Sequence, residues 1–213
     1  MLQALRIRDF RLLWGAGTIS YLGSWLLVLA VPAHILLATK SLAATGLTLA
    51  AEYAPQLLLG PVAGILTDRW NRRQIMIWSN LGRAVTVAAM LSALGPGRYW
   101  IFYAALAAES SGTALAVPAL RARIPAIVGT GPRLSSANSL NSFSDGAVRL
   151  IGGPIGGVLF AALGIRVLIV ADALSYLAAA GAIMMTAREA SREPAVRVSR
   201  VRVAFILLRY AIA

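Results

Sequence analysis

Gly64-Ile65-Leu66-Thr67-Asp68-Arg69-Trp70-Asn71-Arg72-Arg73 sets an acidic, triply basic loop between two apolar segments, each long enough to cross a bilayer. The rest of the chain agrees with a membrane setting. Of 213 residues, 59% are hydrophobic and 13% charged, and the mean hydropathy is +0.74. Too few polar groups remain to coat a water-soluble domain of this size.

Six stretches reach the roughly 20 residues that a membrane-crossing helix needs. They cover residues 12–37, 46–66, 75–94, 99–117, 138–163 and 167–187. Thr39-Lys40-Ser41, Gly95-Pro96-Gly97-Arg98 and Gly129-Thr130-Gly131-Pro132 interrupt helical continuity between them. The expected fold is all-α, a six-helix transmembrane bundle over residues 1–187 followed by a basic segment, 188–213. Residues 203–213 would reach only about 16 Å as a helix and carry Arg209, so they are not a seventh span.

The chain has 20 Lys and Arg against 8 Asp and Glu, a net charge of +12. In a soluble protein that excess would suggest nucleic acid, so its placement decides. Arg6, Arg8 and Arg11 precede the first span, Arg69, Arg72 and Arg73 follow the second, and Arg121, Arg123 and Arg133 follow the fourth. Arg188, Arg192, Arg197, Arg200, Arg202 and Arg209 follow the sixth, whereas only Lys40, Arg98 and Arg166 lie on the opposite side. The positive-inside rule then puts both ends and the Asp68–Arg73 loop in the cytoplasm of a bacterial-type inner membrane. No nucleic-acid partner is expected. The first apolar stretch also exceeds the usual 7 to 15 residues of a signal peptide, so it is expected to be retained.

Catalysis finds no support. The chain has no cysteine, which excludes disulfides, thiolate metal sites and a cysteine nucleophile. With one histidine, His34, it cannot contain His-Glu-x-x-His, and its one lysine, Lys40, is in no phosphate-binding loop. No motif supports a serine nucleophile beside His34. Neither a cofactor nor a metal is expected, and the protein is not read as an enzyme.

The Gly64–Arg73 loop resembles the signature between helices two and three of the major facilitator superfamily, Gly-x-Leu-Ala-Asp-Arg-x-Gly-Arg-Arg. Gly64, Leu66, Asp68, Arg69, Arg72 and Arg73 match; Thr67 stands for the Ala, and Asn71 for the Gly. Asn is the non-glycine residue best suited to a left-handed turn, so the turn is expected to be kept. Pro118-Ala119-Leu120-Arg121-Ala122-Arg123-Ile124-Pro125 and Ser136-Ala137-Asn138-Ser139-Leu140-Asn141 are similar to the exporter branch that includes macrolide and siderophore efflux proteins. The resemblance covers residues 6–187.

It implies the amino-terminal six-helix half of a twelve-span fold, truncated, split between two genes or pairing with a second copy, with 188–213 beginning the linker between halves. It also implies a secondary transporter that exports a small amphipathic solute by alternating access with proton coupling. Gly64, Asp68, Arg69, Arg72 and Arg73 would form its cytoplasmic gating loop. The implied partners are the lipid bilayer, a small-molecule substrate, protons and a second half. The alternative is a non-transporting six-helix chain that only modulates another transporter half. Two departures weaken assignment as an antiporter: in Gly152-Gly153-Pro154-Ile155-Gly156-Gly157 the proline is displaced from Gly-Pro-x-x-Gly-Gly or the spacing is one short, and the fourth span lacks the arginine often found in drug-proton antiporters.

Six ionisable residues fall within the spans, where charge is costly and therefore functional by default. Counted from the span ends, Arg83, Glu109, Asp145 and Arg149 lie about 9 to 16 Å from the cytoplasmic boundary. Asp145 and Arg149 have the favourable acid-first i, i+4 order, and pairing among these four is expected. Glu52 and Asp172 fall about 8 to 9 Å from the outer boundary, with no cation at that depth. Glu52 is a candidate proton carrier, whereas Asp172 is read as opening the sixth helix at its N-terminus. His34 is read as an interfacial residue. By resemblance the first and fourth helices line the cavity, so the candidate path is Glu109, Glu52, Arg83, Asp145 and Arg149, led by Glu109. Gly153, Pro154, Gly156 and Gly157 are expected to bend the fifth helix. Gly60-x-x-x-Gly64 and Gly152-x-x-x-Gly156 are packing motifs.

Overall fold

A computed structural model describes residues 2–95 and 97–187. Pro96, the basic segment 188–213 and the side chains of Leu2, Ile65, Asp68 and Arg69 lie outside that description. Five helices, α1 (Arg8–Thr39), α2 (Leu42–Arg69), α3 (Arg72–Ala89), α4 (Trp100–Val128) and α5 (Pro132–Met184), follow one another, with 3-10 turns at Leu2–Arg6 and Met90–Ala93. No strand occurs among the described residues. By length and composition, three helical stretches there could each cross a membrane: Arg8–Thr39, Arg72–Ala93 and Pro132–Met184.

Local chemistry sets the joints. α1 stops where Lys40 turns left-handed (φ 54°) and its N–H bonds back to Leu36 O at 2.9 Å. Ser41 then caps α2, its Oγ accepting from Ala44 N at 3.2 Å. Asn71 caps α3 in the same way, Oδ1 accepting from Gln74 N at 3.1 Å. Its backbone is extended (φ −66°, ψ 113°), which corrects the left-handed turn expected there. Asn serves as an N-cap instead, because its side-chain oxygen satisfies an orphan donor of the new helix.

α4 continues past Val117 to Val128 with Pro118 and Pro125 inside it. Each proline removes one helical hydrogen bond. Packing outweighs that loss, since Ala119, Arg123 and Ile124 in this stretch are buried. α5 leaves helical geometry at Gly164 alone (φ 76°, ψ 168°), between two arms. The dihedrals stay helical through Pro154, where a bend was expected. Gly152, Gly153 and Gly156 instead face α1. A Cβ on Gly156 would lie 2.8 Å from Leu26 Cα, so the two backbones touch where only glycine fits.

The contacts of α1 show that α5 doubles back. Along α1, Trp14 meets Ser144 and Trp25 meets Gly152 on the first arm. On the second arm the order is reversed: Arg8 meets Met185, and Ser24 meets Tyr176. α1 is thus clasped between a parallel and an antiparallel neighbour. Two apolar clusters fill the bundle, one around Phe10, Ile75, Ile124 and Leu140, the other around Val31, Val87, Phe102 and Ile169. Large apolar side chains such as Leu57, Leu58 and Leu150 point outward, each more than three-quarters exposed, as a lipid-facing surface requires.

Candidate functional site

Between the two apolar clusters sits a buried polar network. Arg83 on α3 falls between Met76 of one cluster and Ala84 of the other, and Glu109 on α4 likewise follows Leu106. Gly112, one turn from Glu109, leaves room for the Arg83 stem: a Cβ there would sit 2.7 Å from Arg83 Cγ. Arg83 Nε reaches Glu109 Oε1 at 2.9 Å, with both side chains under a tenth exposed. Arg83 Nη2 donates to the Tyr176 hydroxyl at 2.6 Å, and that hydroxyl donates to Glu109 Oε1 at 2.6 Å. Thr113 Oγ1 gives the same carboxylate oxygen another bond at 3.0 Å. Ser24 Oγ lies 2.6 Å from the Tyr176 oxygen. A phenol has one proton, so with it given to Glu109 the serine is the donor, its own single proton shared with Ser20 O at 3.1 Å. One charge pair therefore ties α1, α3, α4 and the second arm of α5 together. Tyr176 and Thr113 add hydrogen bonds to the pair, which helps to offset the cost of burying it.

Beside this network lies a narrow cavity of about 20 Å³, room for roughly one water-sized sphere. Ser24, Thr48, Glu52, Glu109 and Asp172 supply its polar lining, and Val28, Pro32, Val87 and Met90 part of its apolar wall. Glu52 is half-buried, and its backbone carbonyl accepts from Ser110 Oγ of α4. Asp172 is 1% exposed. It sits where Gly23 leaves no room for a side chain, and its Oδ1 accepts from Ser175 Oγ at 3.3 Å. Asp172 is thus not at a helix N-terminus as expected; it lies inside α5 and is packed on α1. The two expected layers of charge also fail, since Glu52 and Asp172 share a cavity with Glu109. α4 runs on to Val128, so depth counted from Val117 misplaced Glu109.

Asp145 and Arg149 lie elsewhere, exposed on the first arm of α5. Among the described residues they form no ion pair with each other or with Glu109; Arg149 Nε donates to Tyr21 OH at 2.8 Å. His34 packs on Phe102 and Phe160, ring centroids 5.5 and 6.4 Å away.

The basic end of the bundle carries a second constellation. Arg73 donates to Ile183 O at 3.3 Å and Met184 O at 2.5 Å, and Arg8 to Met185 O at 3.2 Å. Arg123, 2% exposed, bonds Thr186 Oγ1 at 2.9 Å and Ala187 O at 2.8 Å. Three arginines from three elements thus serve the orphan carbonyls where α5 ends, where positive charge also suits the helix dipole. Arg72 similarly reaches Ala122 O of α4 at 2.7 Å. Gly64 has open space at its Cβ position, and the Asp68 and Arg69 side chains lie outside the described residues.

Sequence reasoning missed Tyr176, Ser24 and Arg123. A tyrosine in an apolar span was the available signal, because a buried phenol needs a partner.

Membrane-length helices around a buried charge network define a multi-pass α-helical membrane protein. The family of transmembrane secretion effectors matches residues 1–213, and the chain belongs to that family of major facilitator superfamily transporters. It is 32% identical over 182 residues to the uncharacterized MFS-type transporter YfiS of Bacillus subtilis, covering 84% of this chain and 42% of that protein. Macrolide efflux protein A of Streptococcus pyogenes is 29% identical over 124 residues, 56% of this chain and 30% of that protein. The chain thus spans under half the length of these relatives.

Proposed function

We propose that the chain forms six membrane crossings of a proton-coupled exporter, moving a small amphipathic solute out of the cytoplasm by alternating access. The two arms of α5 count as separate crossings, both ends are cytoplasmic, and a second six-helix half completes the pathway. The relatives include a macrolide efflux protein, which supports export as the direction. The loop Gly64–Arg73 is the cytoplasmic gate, with the Asp68 carboxylate as its latch, so Asp68→Asn should abolish export at normal expression.

One observation carries the coupling: Glu52, Glu109 and Asp172 line one cavity, and of these three carboxylates Arg83 is bonded only to Glu109. One guanidinium balances one carboxylate, so the other two can be buried as neutral groups only with a proton each. Loss and uptake of those protons would bias helices that carry them, which is how an ion gradient is coupled to rocking of a bundle.

The test is proton-driven transport of a macrolide into inverted vesicles containing the chain and its second half. Uptake should require an inward-acid pH gradient, and Glu52→Gln and Asp172→Asn should uncouple it. Equal uptake after the gradient is collapsed would remove proton coupling, and no uptake beyond empty vesicles would leave a non-transporting partner.

A further inference from the structure

Arg149 stands apart from the carboxyl cavity. It is exposed in mid-helix, beside outward-facing Leu150 and Ile151 and six residues after Phe143, 66% exposed. A charged group amid such apolar surface persists where it meets water or a counter-charge. Among the described residues, the ion pairs are Arg8–Asp9 and Arg83–Glu109, and Asp145, one turn before Arg149, acts on it only from beyond ion-pair distance.

Aromatic rings meet it instead. Its Nε donates to Tyr21 OH at 2.8 Å, and its guanidinium carbon lies 5.8 Å from the Trp25 ring centroid. Tyr21 and Trp25 stand edge to face with centroids 6.1 Å apart. Gly152, one turn beyond Arg149, makes room for this: a Cβ there would lie 2.7 Å from Trp25 Cβ. The guanidinium is therefore held through one nitrogen. Its two terminal nitrogens keep their donors for another group.

A fork of donors beside aromatic faces suits a planar oxyanion on a flat apolar body. The carboxylate takes the fork bidentately, and the body stacks on the indole. We propose that Arg149, Tyr21 and Trp25 form a subsite for an aromatic carboxylate, separate from the carboxyl cavity. An acidic side chain from another polypeptide would neutralise the charge but leave the rings unused. The subsite rests on the proposed transport function and adds flat aromatic anions to the solutes that the pathway would carry.

Binding does not need transport, so the two fail separately. The full chain in lipid nanodiscs is dialysed against radiolabelled 2-naphthoate. Binding should be saturable and should weaken on the order of tenfold in Arg149→Gln. Arg149→Lys should keep part of it and Trp25→Ala should lose it, while 2-naphthamide, the same shape without charge, binds on the order of tenfold more weakly. Thermal melting of Arg149→Gln should match the parent chain, since the side chain is exposed. Equal binding of acid and amide, or naphthoate binding unchanged in Arg149→Gln, overturns the subsite. So does absent binding, above all if Arg149→Glu releases a co-purifying polypeptide whose acid then claims the arginine. Arg149-dependent binding in vesicles that move nothing keeps the subsite and removes transport.

Discussion

The Tyr176 hydroxyl donates to Glu109 while accepting from Arg83, both at 2.6 Å, so a single phenol oxygen bridges the two halves of a buried ion pair. The pair is consequently a triad, and its members should not act independently.

Glu109→Gln leaves the Arg83 guanidinium buried without a counter-charge, which should cost about 3–5 kcal/mol. Tyr176→Phe removes one hydroxyl from three neighbours and should cost about 1–3 kcal/mol. The double variant Arg83→Gln with Glu109→Gln should melt above Glu109→Gln alone, because no net charge is left stranded. Thermal melting in detergent reads all three; a double variant no more stable than the single would deny the coupling.

Two neighbouring glycines on α5 should behave oppositely. Gly156→Ala drives a methyl into the Leu26 backbone and should destabilise by about 1–3 kcal/mol. Gly157→Ala meets nothing within 4 Å, and helix propensity should stabilise it by up to about 1 kcal/mol. Similar melting temperatures for the two would show that α1 and α5 do not approach as closely as described.

The arginines around the end of α5 should hold that end closed. Ile183 is 2% exposed, and a cysteine placed there in this cysteine-free chain reports local opening. Arg123→Gln should raise its modification rate roughly tenfold in detergent, as expected for losing a charge-assisted hydrogen bond. An unchanged rate would mean that Arg123 does not control this end.

Orientation can be read with cysteines at Asn71 and Arg98, both exposed and at opposite ends of α3 and α4. An impermeant thiol reagent applied to intact cells should label position 98 and spare 71. The reverse pattern would invert the membrane topology.

Much of this arrangement could be anticipated from residue types. Pairing among Arg83, Glu109, Asp145 and Arg149 is expected from the sequence, and Arg83 does hold Glu109. Counting along a helix misses both its true end, as in α4, and its rotation, so Arg149, expected to pair with Asp145 or Glu109, turns instead to Tyr21. Asp172 was misread for a related reason. Its burial depends on Gly23 of a helix about 150 residues earlier, and no local pattern shows that approach. The fourth span, expected to end at residue 117, continues to Val128, because buried residues such as Ala119 and Ile124 hold that stretch in the helix.

The clasp of α1 between the arms of α5 also sets a timetable for biosynthesis. Ser24 waits for Tyr176, 152 residues later, which at a ribosomal rate of about 5–20 residues per second is roughly 8–30 s. During that interval α1 sits in the translocation machinery or the bilayer without the neighbours that bury it. Arg83 and Glu109 emerge in between and meet before their bridging phenol exists. The second arm of α5 therefore completes α1, and a ribosome halted before codon 176 would release a bundle whose Arg83–Glu109 pair lacked its bridging phenol.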